Sequence, residues 1–169
     1  SIENVIEEIE LCVKKYSLAE FNIHDEWFTI NRERTIELCR RVIEKKLDIA
    51  WVCMGRVFPL DEELLIWMKK AGCKKINFGF ESGDQKILDN IKHQTTLEQG
   101  LRAAKLCHKV GIKIGANFMI GAIGETLETI KNTIKYAKKI KPDTVAFFAA
   151  TPYSGTEFYE EAKRLKYLR

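Results

Sequence analysis

Residues 95–120, TTLEQGLRAAKLCHKVGIKIGANFMI, change hydrophobic period in the middle. Up to Gly111, Leu101, Ala104 and Cys107 recur at three-residue spacing, the stripe of an amphipathic helix. Beyond it Ile112, Ile114, Ala116, Phe118 and Ile120 alternate strictly, the period of a strand. Thr95 and Glu98 stand in the S/T-x-x-E relation of a capping box at the helix start, and Gly111 is the stop. A helix running straight into a strand is the unit of an α/β fold, and the rest of the chain repeats it.

Downstream, a helix from about Thr126 to Ile140 is expected to turn Leu127, Ile130, Ile134 and Ala137 inward. A strand over Thr144–Ala150 and a weaker helix from about Glu157 to Leu165 follow. Upstream, Lys75–Phe80 reads as a strand, preceded by a helix that Asp61 caps and that buries Leu64, Leu65 and Met68, with Gly72 at the left-handed stop. Before these come a strand at Ile49–Cys53, a helix from about Arg32 to Lys45 with Ile36, Cys39 and Ile43 on one stripe, and a strand at Glu20–His24. The opening helix carries Ile2, Val5, Ile6, Ile9 and Val13, with Ser1 placed to cap it. The expectation is five parallel strands, each followed by a helix, plus a leading helix. Such a series either closes towards a barrel or lies as an open doubly wound sheet, and the periods leave both open. The leading helix without a strand of its own predicts that the natural protein continues upstream. No linker divides the chain, so 1–169 is expected to be one domain.

With 169 residues, 46% hydrophobic and 31% charged, the chain has the balance of an ordinary globular protein. Its net charge of +4 comes from lysines interspersed with glutamates at helical spacing, the mark of solvated helix faces rather than of a nucleic-acid surface. The longest apolar run, Val145–Ala150, is strand length, so a membrane helix is not expected. No basic and apolar leader opens the sequence, and a cytoplasmic location follows as the expectation. Of five cysteines, none stands closer to another than Cys39 to Cys53. Cluster ligands need to lie a few residues apart on one loop, so Cys12, Cys39, Cys53, Cys73 and Cys107 read as reduced core residues on separate elements.

Sites in parallel α/β folds gather at the C-terminal ends of strands. The first end, His24-Asp25-Glu26-Trp27-Phe28-Thr29, suits an ammonium group or a metal, or else an acidic turn with its aromatics in the core. Arg56, after the second strand, suits a carboxylate or a surface ion pair. Glu81 and Ser82 offer the acceptors and donor that a ribose diol needs, although Ser82 or Asp84 also suits a helix cap. Gly121 and Gly124, between strand and helix, allow a ligand to approach the backbone and equally suit a phosphate. The last end, Thr151-Pro152-Tyr153-Ser154-Gly155-Thr156, is a rigid turn whose backbone suits a flat heterocycle.

In order, these ends resemble the radical S-adenosylmethionine enzymes, in the branch often joined to a cobalamin-binding domain. Asp25-Glu26-Trp27-Phe28-Thr29 looks like that branch's form of the motif that holds the methionine amino group. Phe78-Gly79-Phe80-Glu81-Ser82-Gly83 resembles the ribose motif, which implies Glu81 and Ser82 near the sugar. Gly121, Gly124 and Glu125 match the turn that packs on adenine, and residues 151–156 look like the branch's T-P-Y-P-G-T. Asn117 and Met119 occupy the first two places of the preceding G-x-I-x-G-x-x-x-E pattern, Ala122-Ile123 replaces its usual Leu-Pro, and His93-Gln94 replaces a common Lys-Gly pair. The resemblance implies a partial (βα)6 barrel lacking its first strand. It implies S-adenosylmethionine at Asp25, Glu26, Glu81, Ser82, Asn117, Met119, Gly121, Glu125, Thr151 and Pro152. Arg56, from its place at the second strand end, is expected to face the substrate.

The family's CxxxCxxC loop, which binds a four-iron four-sulfur cluster, does not occur in the sequence. In the family that cluster reduces the cofactor to a 5′-deoxyadenosyl radical. These residues alone are therefore expected to be inactive. The rival readings are a barrel enzyme binding a phosphorylated substrate at Gly121–Thr126, and a noncatalytic binding module. The exposed edge of the Phe21 strand raises the expectation of a homodimer.

Overall fold

The structure is a computed structural model that describes residues 1–91 and 93–168. Its elements run α1 (Ile2–Tyr16), β1 (Glu20–Ile23), α2 (Arg32–Glu44), β2 (Ala50–Gly55), α3 (Glu62–Lys70), β3 (Cys73–Glu81), α4 (Gln85–Asn90), α5 (Leu97–Val110), β4 (Lys113–Ile120), α6 (Leu127–Ile140), β5 (Thr144–Ala149) and α7 (Glu157–Arg164). The five strands are parallel, lie in chain order and curl into a half-barrel with helices outside. The sequence left barrel and open sheet undecided. Strand order decides it, because an open doubly wound sheet reverses direction at a switch point and this one does not.

Alternation along the strands divides two chemistries. Ile76, Phe78 and Phe80 of β3 and Ile114, Ala116 and Phe118 of β4 are buried towards the helices, against Leu64, Leu65 and Met68 of α3 and Ala103, Ala104 and Cys107 of α5. Phe118 stacks between Phe80 and Phe147, with ring centroids 5.9 and 5.4 Å away. The concave face receives the intervening residues, Asn77, Gly79 and Glu81 from β3 and Gly115, Asn117 and Met119 from β4. Barrel interiors are normally filled by branched apolar side chains, whereas this face carries amides and glycines.

Helix starts follow local chemistry. Asp61 accepts the Leu64 amide at 2.9 Å, and Ser1, Asn31, Asp84, Thr96, Thr126 and Thr156 cap the other helices. The capping box before α5 uses Thr96 and Gln99, one residue beyond the expected Thr95 and Glu98. Thr95 is buried and spends its hydroxyl on His93 Nδ1 at 2.5 Å, so the next threonine takes the cap. The inward face of α6 is also rotated from expectation: Leu127 is 78% and Ile134 43% exposed, while Thr133, Tyr136, Ala137 and Ile140 are buried. Buried hydrogen bonds set that rotation. Thr133 Oγ1 accepts the Gly83 amide at 2.9 Å, and the Tyr136 hydroxyl donates to Leu97 O at 2.7 Å. In α2 the expected Ile36 and Cys39 are buried with Leu38 and Val42, Thr35 joins them, and only Ile43 is partly exposed. The sequence reading also missed α4, a single short helix between β3 and α5. Among the described residues no helix is long and apolar enough to cross a membrane.

Candidate functional site

The concave side opens at the C-terminal ends of β1–β3 into a hollow of about 520 Å³. Glu26, Trp27, Met54, Arg56, Asn77, Gly79, Glu81 and His93 are among its lining residues. A second hollow of about 590 Å³ beside it is lined by Met119, Ala122, Ile123 and Phe158, and Ile91 lines both. Both lobes mix apolar and charged walls, with Glu26, Arg56 and Glu81 in the first and Glu157 and Glu161 in the second.

Glu81 terminates β3 with a positive φ of 59°, inside a three-residue turn in which the Ser82 amide donates to Phe80 O at 2.7 Å. Side chains rarely adopt that conformation, and such strain concentrates at functional sites. A Cβ added at Gly79 would overlap the Glu81 carboxylate, so the missing side chain at position 79 makes the space in which Glu81 lies back over the sheet. The carboxylate is half-buried, has no hydrogen bond or ion pair among the described residues, and is raised above its usual range by burial.

Ser82, its neighbour, serves the scaffold. It is fully buried, its hydroxyl pairs with Thr133 Oγ1 at 3.3 Å and accepts the Asp84 amide at 3.2 Å, and Asp84 rather than Ser82 caps α4. The Ser82 side chain therefore does not reach the hollow. The acidic pair divides in the same way. Asp25 accepts the Trp27 amide at 3.1 Å and lines a groove beside α1 and α2, whereas Glu26 lines the hollow.

Opposite Glu26, the Arg56 guanidinium lies 4.8 Å from the Trp27 ring centroid and donates to His93 O at 3.4 Å. Its backbone amide donates to the buried Thr29 hydroxyl at 3.1 Å. Stacking and hydrogen bonding thus hold a flat cation at the rim. His93 is pushed below the ordinary imidazole range by burial and by the Arg56 charge, which keeps it neutral at neutral pH. Trp27, Asn77 and His93 are among the lining residues that the sequence reading did not assign. For Asn77 a signal existed, since it shares the strand face of Glu81 four residues on.

The turn after β4 closes on itself. Gly121 and Gly124 have φ of 96° and 83°, the Gly121 amide donates to Glu125 Oε2, and the Glu125 amide donates to Ala122 O at 3.0 Å. Glu125 Oε1 is sealed from solvent with no hydrogen-bond partner among the described residues. A carboxylate already occupies the amide that a phosphate would need and would repel the anion, so the phosphate-cradle reading is not favoured. Met119 lines the second lobe, and Asn117 stands on the concave face between Gly79 and Ala146. Thr151 is exposed and donates to Ala149 O at 3.3 Å, while Pro152 is half-buried beside it.

Four cysteines, expected to be scattered, sit on four elements and yet meet in the core. Cys73 interacts with Cys39, Cys53 and Cys107, all fully buried. Burial pushes the Cys39 and Cys107 thiols up to about 12, and hydrogen bonding to Cys73 together with burial raises Cys53. Among the described residues no three His, Cys, Asp or Glu side chains form a group that could hold a metal ion. Cys39, Cys53 and Cys107 are therefore protonated core thiols.

Residues 1–137 match the family model of the radical SAM superfamily. Over 162 residues the chain is 38% identical to an uncharacterised methyltransferase of Pyrococcus horikoshii, covering 96% of this chain and 35% of that protein. Over 161 residues it is 35% identical to the anaerobic magnesium-protoporphyrin IX monomethyl ester cyclase of Rubrivivax gelatinosus, covering 94% and 29%. The chain thus spans about a third of the length of these relatives. Among solved structures it resembles the radical S-adenosylmethionine methyltransferase TsrM of Kitasatospora setae, described with cobalamin and a [4Fe-4S] cluster bound, with TM-score 0.82 and 20% identity over 90% of this chain and 31% of that one. It also resembles the cobalamin-dependent radical enzyme OxsB, with TM-score 0.82 and 15% identity over 100% and 32%. At those identities the likeness is one of fold. With a family model matched over most of its length and two relatives above 30% identity, the chain belongs to the radical SAM superfamily.

Proposed function

We propose that residues 1–169 form one partial barrel domain that holds S-adenosylmethionine in a radical SAM enzyme whose cluster cysteines lie outside this sequence. The residues fit the cofactor: Glu26 faces the methionine ammonium, Arg56, stacked on Trp27, faces a carboxylate, and Glu81 takes the ribose hydroxyls. Met119, Asn117, the Gly121–Glu125 turn and the Thr151-Pro152 backbone surround adenine at the second lobe. Asp25 and Ser82 support the loops that carry Glu26 and Glu81. The residues do not fit the cluster, because the core thiols are protonated and no described group gathers as a metal site. The one-electron chemistry comes from the cluster, and this domain's part is to bind, orient and shield. The cobalamin named for two structural neighbours supports a cobalamin partner domain in the whole protein. The names of the curated relatives support methyl transfer or ring closure as the reaction class.

The observation that carries this reading is the Glu81 carboxylate, unpaired among the described residues and lying over the space that Gly79 leaves. Equilibrium dialysis of S-adenosylmethionine against the full-length, cluster-loaded protein tests it. Glu81→Ala is expected to weaken binding by roughly ten- to a hundredfold, the range for a lost hydrogen bond to a charged group. Unchanged affinity removes Glu81 from the site, and the reading with it.

A further inference from the structure

The floor of the hollow holds a second polar side chain without a partner. Asn77 lies on the concave face of β3, in register with Met54 of β2 and Gly115 of β4. A Cβ at Gly115 would overlap the Asn77 side-chain oxygen, so the amide lies across the neighbouring strand in a space that glycine alone leaves open. Asn77 is half-buried, lines the hollow, and has no hydrogen bond to its amide among the described residues. An amide left unsatisfied in a half-buried place costs free energy that a bound molecule returns.

Two strand faces thus use the same device, with Glu81 over Gly79 and Asn77 over Gly115. The charged groups Glu26 and Arg56 stand at the ends of β1 and β2, whereas Asn77 lies deeper, on the β3 face that it shares with Glu81. A neutral amide, donor and acceptor together, matches hydroxyls and ring nitrogens, and its place beside Glu81 sets it on the side proposed for the ribose.

Resting on the reading above, we infer that Asn77 is a ligand-positioning residue whose amide hydrogen-bonds the uncharged nucleoside part of S-adenosylmethionine. In the full-length, cluster-loaded protein, Asn77→Ala weakens S-adenosylmethionine and 5′-deoxyadenosine by roughly three- to tenfold, the worth of one neutral hydrogen bond, and leaves methionine unchanged. Gly115→Ala produces the same loss with the amide still present, because the new methyl takes its place. The double variant binds no worse than the weaker single one, since both remove one contact. Unchanged nucleoside affinity in both single variants overturns the inference, as does an equal loss for methionine or a multiplied loss in the double variant. If Glu81→Ala weakens the cofactor while Asn77→Ala does not, only this inference falls. If neither changes binding, the site itself is misplaced.

Discussion

Replacing Gly79 by alanine separates binding from stability. Gly79 sits in mid-strand with no positive φ, so alanine meets no backbone penalty, and removing a strand glycine is worth up to about 0.5–1 kcal/mol in favour of folding. The close atoms around its new methyl all belong to the Glu81 side chain, whose end can swing away. The carboxylate then leaves its place. Losing a hydrogen bond to a charged group costs about 1.5–3 kcal/mol of binding, a ten- to hundredfold drop in S-adenosylmethionine affinity. Thermal unfolding should show a Tm equal to or up to about 4 °C above the parent, since about 1 kcal/mol moves a domain of this size by about 2–4 °C. Dialysis of the cluster-loaded protein reads the affinity. Full affinity with an unchanged Tm would refute the cradle, and a Tm lowered by several degrees would show that Glu81 cannot yield.

Thr133→Val removes the hydroxyl that accepts the Gly83 amide and pairs with Ser82, leaving a buried donor unsatisfied at a cost of about 1–3 kcal/mol. A lower denaturant midpoint with an unchanged slope is the expected result, and a midpoint equal to the parent's would show that the turn stands without it. Glu81→Gln tests the buried charge through pH. A carboxyl whose folded pKa is raised binds more protons in the folded state, so the parent loses stability as pH rises from the ordinary 4.5 through the raised value. The glutamine variant should therefore melt higher than the parent at pH 7 and converge with it below pH 4.5. A difference that persists at low pH would assign the effect to packing.

Periods, caps and stops are local, and they read well. The five strands, the caps at Ser1 and Asp61, and the helix stops at Gly72 and Gly111 all follow from neighbours within a few positions. The errors arise where a distant residue competes. Thr95 lost the cap to Thr96 because His93 engages its hydroxyl, and α6 turned its threonine and tyrosine inward to meet the loop after β3 and the start of α5. The family resemblance pointed to the strand ends and could not say which of two adjacent side chains faces the hollow.

By itself, the sequence determined the parallel α/β class, the order of elements and the loops at the strand ends, because hydrophobic period and capping are properties of short stretches. Only the tertiary structure decided that the strands curl into a half-barrel, that Glu26 and Glu81 rather than Asp25 and Ser82 face its hollow, and that Asn77 joins them. Side-chain direction at a strand end is set by what packs against it from far along the chain. Thr133, 51 positions away, holds Ser82 inward, and Gly115 on the next strand gives Asn77 room to lie flat.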